Sequence, residues 1–165
     1  MRNSLFKYSI LLFFFLMFLG THAVAQIMNL DDAAKIEFKS PKDYDNFEDQ
    51  ILEFIDWLNR QPLNHPDRKK VNALIFKWAE GTSNVTISIM PFILDYADKN
   101  PGFLTLYISG WIKFALDNPE KKDNELEATL AGVHMILDYY KNGKKLDVVK
   151  DKKVAKLLKK EWKEN

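Results

Sequence analysis

The chain has no cysteine. Disulfides, thiolate metal sites, a cysteine nucleophile and a lipid-modified cysteine at the start of a mature chain are therefore excluded. Glycine is scarce: the six glycines in 165 residues never cluster, so no phosphate-cradling loop is present. Histidine occurs three times, at His22, His65 and His134, and never in a metal motif such as H-E-x-x-H. The serines beyond the N-terminal segment, Ser40, Ser83, Ser88 and Ser109, lie in neither G-x-S-x-G nor S-x-x-K, which leaves a serine hydrolase without support. Long apolar runs are missing too, apart from Ile10 to Leu19, and a bilayer-spanning helix needs roughly 20 residues.

That one apolar run is informative by its surroundings. Arg2 and Lys7 precede it, and Ala23-Val24-Ala25 follows it after Gly20. A charged start, a short apolar core and an A-x-A exit predict a cleaved secretory signal peptide over residues 1–25, with a mature protein starting at Gln26. Export to the periplasm or the external medium follows, with no transmembrane segment after cleavage. An exported chain without cysteine must be held by its core alone. The remaining 140 residues suit one domain, which buries roughly 68–70% of its unfolded surface. Four tryptophans, Trp57, Trp78, Trp111 and Trp162, argue against disorder.

Charge is uneven. Residues 26–60 carry nine acids and four bases, whereas residues 141–165 carry ten lysines and four acids. The two ends are oppositely charged on a chain that is nearly neutral as a whole.

Periodicity predicts helices throughout. Residues 26–42 read as a partly ordered leader and 43–165 as the helical domain. Phe47, Ile51, Phe54, Ile55 and Leu58 fall on one face of a first helix. Asp43, Asp45, Glu48 and Asp49 crowd its start, the positive end of the helix dipole. A second helix, with Val71, Leu74, Ile75 and Trp78 as its stripe, starts near Pro66-Asp67 and stops at Gly81. Val85, Ile87 and Ile89 alternate like a strand, but an isolated strand has no partner, so this stretch is assigned to a helix that Pro91 opens or kinks.

The segment Phe103 to Leu116 is apolar around nearly its whole circumference, which marks a central, buried helix. Gly110 in its middle points to a close backbone approach. A long fifth helix, about Asn124 to Lys141, has Leu126, Leu130, Val133, Leu137 and Tyr140 as its expected core stripe. Ala128, Ala131 and Gly132 form a small-residue strip suited to close packing. A last helix, about Val148 to Trp162, turns Val154, Leu157, Leu158 and Trp162 inward and Lys152, Lys153, Lys156, Lys159 and Lys160 outward.

The fold expected is all-α: a single-domain six-helix bundle or a short array of two-helix repeats. The array alternative rests on an echo. Phe54-Ile55-Asp56-Trp57, Ile93-Leu94-Asp95-Tyr96 and Ile136-Leu137-Asp138-Tyr139 recur at separations of 39 and 43 residues, close to a two-helix solenoid period.

Candidate chemistry is sparse. His65 sits between Pro62 and Pro66, where a turn role is the simpler reading. His134 and Asp138, spaced i, i+4, could orient an imidazole for acid–base work, although a structural surface pair is commoner. Glu125 and Glu127, or Asp56, Asp95 and Asp138 across helices, could pair for carboxylate chemistry. The lysine face of the last helix could meet an anionic surface. Asn84-Val85-Thr86 matches a glycosylation sequon that has meaning only in a eukaryotic secretory pathway. No cofactor and no nucleic-acid partner is expected.

The motifs Trp78-Ala79-Glu80-Gly81, Val85-Thr86-Ile87, Leu106-Tyr107-Ile108-Ser109-Gly110 and Leu137-Asp138-Tyr139-Tyr140-Lys141 together resemble small exported all-helical proteins of Gram-negative bacteria without an assigned activity. The resemblance spans most of the mature chain, and its motifs are packing residues. It implies a helical fold and no active site. The expected function is a non-catalytic interaction module of the cell envelope, partnered by another envelope protein or an anionic surface. The alternative is a small envelope hydrolase using carboxylates or His134. A cleft gathering His134 with two or more acids would favour the hydrolase, and an exposed apolar patch would favour binding.

Overall fold

Helical periodicity becomes helices almost everywhere. The computed structural model describes residues 32, 35–143 and 145–164, without the side chains of 161–164. The expected signal peptide and its cleavage site lie outside the described residues, as does the side chain of Trp162. From Pro41 on, the described residues form seven α-helices in order: α1 Pro41–Asp45, α2 Glu48–Arg60, α3 Arg68–Gly81, α4 Pro91–Ala97, α5 Gly102–Asp117, α6 Glu125–Lys141 and α7 Lys152–Glu164. A 3₁₀ turn, Pro119–Lys121, joins α5 to α6. No strand occurs among the described residues, and none of their helices is long and apolar enough to cross a membrane.

The centre is α5, as its all-round apolarity predicts. It packs against α2, α3, α4 and α6, and Phe103, Leu106, Tyr107, Trp111 and Ile112 are all buried. Its tightest neighbour is α6. A Cβ placed on Gly110 would stand 2.6 Å from the Ala131 carbonyl oxygen and 2.7 Å from the Gly132 Cα. One on Gly132 would meet the Tyr107 ring at 2.5 Å. The two glycines thus let the backbones touch, and dispersion contacts along the seam replace the side chains they lack.

Three expectations change. The first helix is split: α1 is a separate five-residue turn, and Phe47 leads into α2. Asp43 therefore serves α1, where its carboxylate accepts the Lys39 and Ser40 amides at 2.8 Å each. Those bonds favour the charged form and hold the Asp43 carboxyl below its ordinary range. Second, residues 82–90 are neither helix nor strand, and Pro91 opens α4. Val85 is buried, and the Tyr107 hydroxyl donates to the Ser88 carbonyl at 2.8 Å, so tertiary contacts replace the helical ladder there. Third, α7 starts at Lys152 rather than Val148, because Asp151 caps it: its carboxylate accepts the Lys153 and Val154 amides at 2.6 and 3.2 Å.

The segment before that cap is a strap pinned along its length. Leu63 N–H donates to Leu146 O at 2.9 Å. Buried Asn100 exchanges two bonds with the Val149 backbone, at 2.9 and 2.8 Å. The Tyr140 hydroxyl both donates to the Asp151 carbonyl, at 3.0 Å, and accepts its amide, at 2.9 Å.

Candidate functional site

The crossing of α5 and α6 decides what α6 shows to the outside. Ala128, Gly132, Ile136 and Tyr139 face inward and are buried. At about 100° per residue, Leu126 and Leu130 stand roughly 200° around the helix from Ala128 and Gly132. They are 69% and 46% exposed. The expected core stripe is thus corrected in its first half: Leu137 is buried, Val133 and Tyr140 are half-buried, and the two leucines point out. The small-residue strip wins the interior because only small residues permit the Gly110–Gly132 approach.

Other apolar side chains are exposed as well. The Tyr107 hydroxyl lies 2.8 Å from the Ser88 carbonyl and 3.5 Å from the hydroxyl of buried Thr129, so the 82–90 segment is tied to the α5/α6 seam. Ile89 follows Ser88 directly and is exposed, as are Phe92 and Leu94 on α4. Burial raises the Tyr107 hydroxyl above its ordinary pKa, which keeps it neutral as a donor to Ser88.

His134 and Asp138 lie on another side of α6, both exposed. They line a cleft of ≈ 340 Å³ along the α5/α6 seam, together with Lys113, Phe114, Asp117, Asn118 and Met135. Within it, Lys113 Nζ pairs with Asp117 at 3.2 Å. Among the described residues, no three acids or histidines are arranged to hold a metal. Asp56, Asp95 and Asp138 are all exposed, and Asp95 faces Lys153 of α7 at 3.3 Å. His65 serves its turn: its Nδ1 accepts the Asp67 amide at 3.2 Å, and its ring meets Trp57 edge-on at 5.0 Å.

Lys152, Lys153, Lys156, Lys159 and Lys160 are exposed on α7, while Val154 is buried and Leu157 and Leu158 pack against the core. Complementarity of this face is local, to Asp95 on α4. A second lysine group was not separated from it in the sequence. Lys141, Lys145 and Lys150 line a cleft of ≈ 420 Å³ between the last turn of α6 and the pinned strap, with Tyr140, Asn142, Gly143 and Val148. The lysine excess of residues 141–165 was visible, but its division between a helix face and a cleft depends on the strap.

Arg68 is a functional-looking group that sequence reasoning passed over. It is 3% exposed and has no carboxylate partner among the described residues. Its Nη1 donates to Leu58 O at 2.7 Å and Gln61 O at 2.8 Å, the carbonyl end of α2. Its guanidinium lies 5.5 Å from the centre of the Tyr139 ring. Desolvation lowers the Arg68 pKa and raises that of Tyr139. The arrangement is structural: the negative end of the α2 dipole stands in for a carboxylate.

Comparison with protein-family models, with curated proteins and with solved structures finds no match for this chain.

Proposed function

We propose that this chain is an exported, non-catalytic binding module of the bacterial cell envelope that engages another envelope protein through the outer face of α6. The observation that carries this reading is the exposure of Leu126 and Leu130, one turn apart on a helix whose core side is already filled. Each leucine leaves unrealised part of the roughly 1.5–3 kcal/mol that full burial contributes. Grouped exposed apolar side chains commonly mark a protein contact. The leader over residues 1–25 supports export, and the resemblance to exported helical proteins agrees with it.

The test is a paired one. Leu126→Ser with Leu130→Ser is expected to leave the melting temperature within about 3 °C, since neither residue is buried. The same variant should lose the partner that the unaltered protein retains from envelope extract. Equal capture by both proteins would refute the role of this face. Mass spectrometry of protein recovered from culture should find Gln26 at the N-terminus.

A hydrolase is the second reading, favoured by the cleft that brings His134 together with Asp117 and Asp138. It ranks lower because Asp117 is already engaged by Lys113, and His134 and Asp138 are exposed residues at the common i, i+4 spacing of a helix surface. His134→Ala is expected to leave stability and partner capture unchanged. Hydrolysis of an envelope polymer that disappears in this variant would reverse the ranking.

A further inference from the structure

Two charged faces of the molecule match each other in spacing and opposite sign. On α7, Lys152, Lys156, Lys159 and Lys160 are exposed, and no acid occurs between Lys152 and Lys160. At about 100° per residue, these four fall within roughly 100° of arc. On α2, Asp49, Glu53 and Asp56 fall within roughly 60° of arc, opposite the buried Ile51, Phe54, Ile55 and Leu58. Asp49 and Asp56 are exposed and Glu53 is partly so. The ion pairs among the described residues involve none of these seven side chains. The acids are spaced i, i+4, i+7, as are Lys152, Lys156 and Lys159. With a rise of 1.5 Å per residue, each set spans roughly 10 Å, so three pairs can close together. That match sets α7 apart from the other exposed lysines.

We infer that the lysine face of α7 is an interface for a second copy of this chain, which docks the acidic stripe of its α2 there. The chain is nearly neutral as a whole, so net charge does not drive two copies apart. A single exposed ion pair contributes little, but several held at one spacing on two helices act as a network. Arg60 sets the direction. It lies four residues beyond Asp56 on the same stripe, and parallel helices would carry it toward the lysine-rich end of α7. Antiparallel helices carry it past Lys152, off the start of α7, and oppose the two helix dipoles. Asp56 then meets Lys152, Glu53 meets Lys156, and Asp49 meets Lys159 and Lys160. The contact is heterologous, so each copy keeps one free face and association continues into chains or rings. Neither face includes Leu126 or Leu130, so this contact and the binding face of α6 stand or fall separately.

Sedimentation equilibrium of the full mature protein measures the association. At about 20 mM salt, charges act across roughly 20 Å. There the weight-average mass is expected to rise at least about 1.5-fold between about 10 and about 500 μM protein. At about 500 mM salt it should stay that of the monomer, because screening shortens the reach to a few ångströms. Asp49→Lys with Glu53→Lys and Asp56→Lys should abolish the rise, and so should Lys152→Glu with Lys156→Glu and Lys159→Glu. Combining the two sets exchanges the signs and keeps them complementary, so the rise should return. Thermal melts verify folding. If a reversed protein has lost its cooperative melt, Asp49→Asn with Glu53→Gln and Asp56→Asn keeps the shapes and should likewise stay monomeric. An unaltered protein that is monomeric at low salt would overturn the inference, as would single-set reversals that still associate or a combined protein that does not. Retention of the unaltered protein on vesicles containing phosphatidylglycerol, without a rise in mass, would assign the lysines to a lipid surface instead. The Leu126→Ser, Leu130→Ser variant should associate as the unaltered protein does, which separates failure of this contact from failure of the α6 face.

Discussion

Gly110→Val is expected to destabilise the protein by about 3 kcal/mol or more, the upper range for overpacking a tight interior. Its first added atom would stand 2.6 Å from a backbone oxygen, not from the tip of a side chain that can swing aside. The helix α6 cannot retreat cheaply. Tyr107 is packed against Gly132, and its hydroxyl ties the seam to Ser88. Separating the helices would also open the contacts of Ala128 and Ile136. For a domain of this size the loss corresponds to a fall of roughly 10 °C in melting temperature. Ala73, exposed on α3, is the control site: Ala73→Val should shift the melt by no more than a few degrees. A melt for Gly110→Val within 3 °C of the unaltered protein would mean that α5 and α6 do not touch at their backbones.

Arg68→Met should be comparably damaging, by about 3–4 kcal/mol, measured by urea denaturation. Replacing a complete buried ion pair with apolar residues is often harmless, because both charges leave together. Here only one side can be replaced. The Leu58 carbonyl would keep its burial and lose its donor, and the Gln61 carbonyl would retain only the Tyr139 hydroxyl, at 2.5 Å. The C-terminus of α2 would then carry orphan acceptors inside the protein. Arg68→Lys should fall between the two proteins, since a single ammonium cannot reproduce the planar fork that spans two carbonyls. Equal stability of all three would show that the guanidinium contributes nothing beyond volume.

These two sites differ in how visible they were. Gly110 announced itself: a glycine inside a continuously apolar helix costs about 1 kcal/mol against alanine unless a close neighbour compensates, and Gly132 is that neighbour. Arg68 resembled an ordinary first-turn lysine or arginine beside Lys69 and Lys70, and no periodicity argument distinguishes it. Its burial arises because the Pro62–Pro66 turn folds α3 back against the end of α2, bringing the guanidinium under carbonyls seven and ten residues away.

The α6 leucines show the same limit. Two stripes on one helix, one small and one large, each satisfy an apolar period, and periodicity alone prefers the larger side chains. The choice was settled by shape, since α5 presents a glycine at the crossing. Asp151 shows a signal that was present and misplaced: an aspartate ahead of Lys152 and Val154 suits a cap, but the apolar pair Val148-Val149 drew the helix start four residues too early.

Local chemistry therefore determined the elements themselves: helix content, the burial of α5, the stop at Gly81, and the absence of cysteine chemistry all follow from residue type and spacing. Tertiary structure alone decided which apolar stripe of α6 is covered, that Arg68 is buried on the end of α2, and that three lysines share a cleft. The physical reason is range. Propensity and periodicity act over a turn or two of chain, whereas backbone contact at Gly110 and the Asn100 bonds to the strap join residues 22 and 49 positions apart.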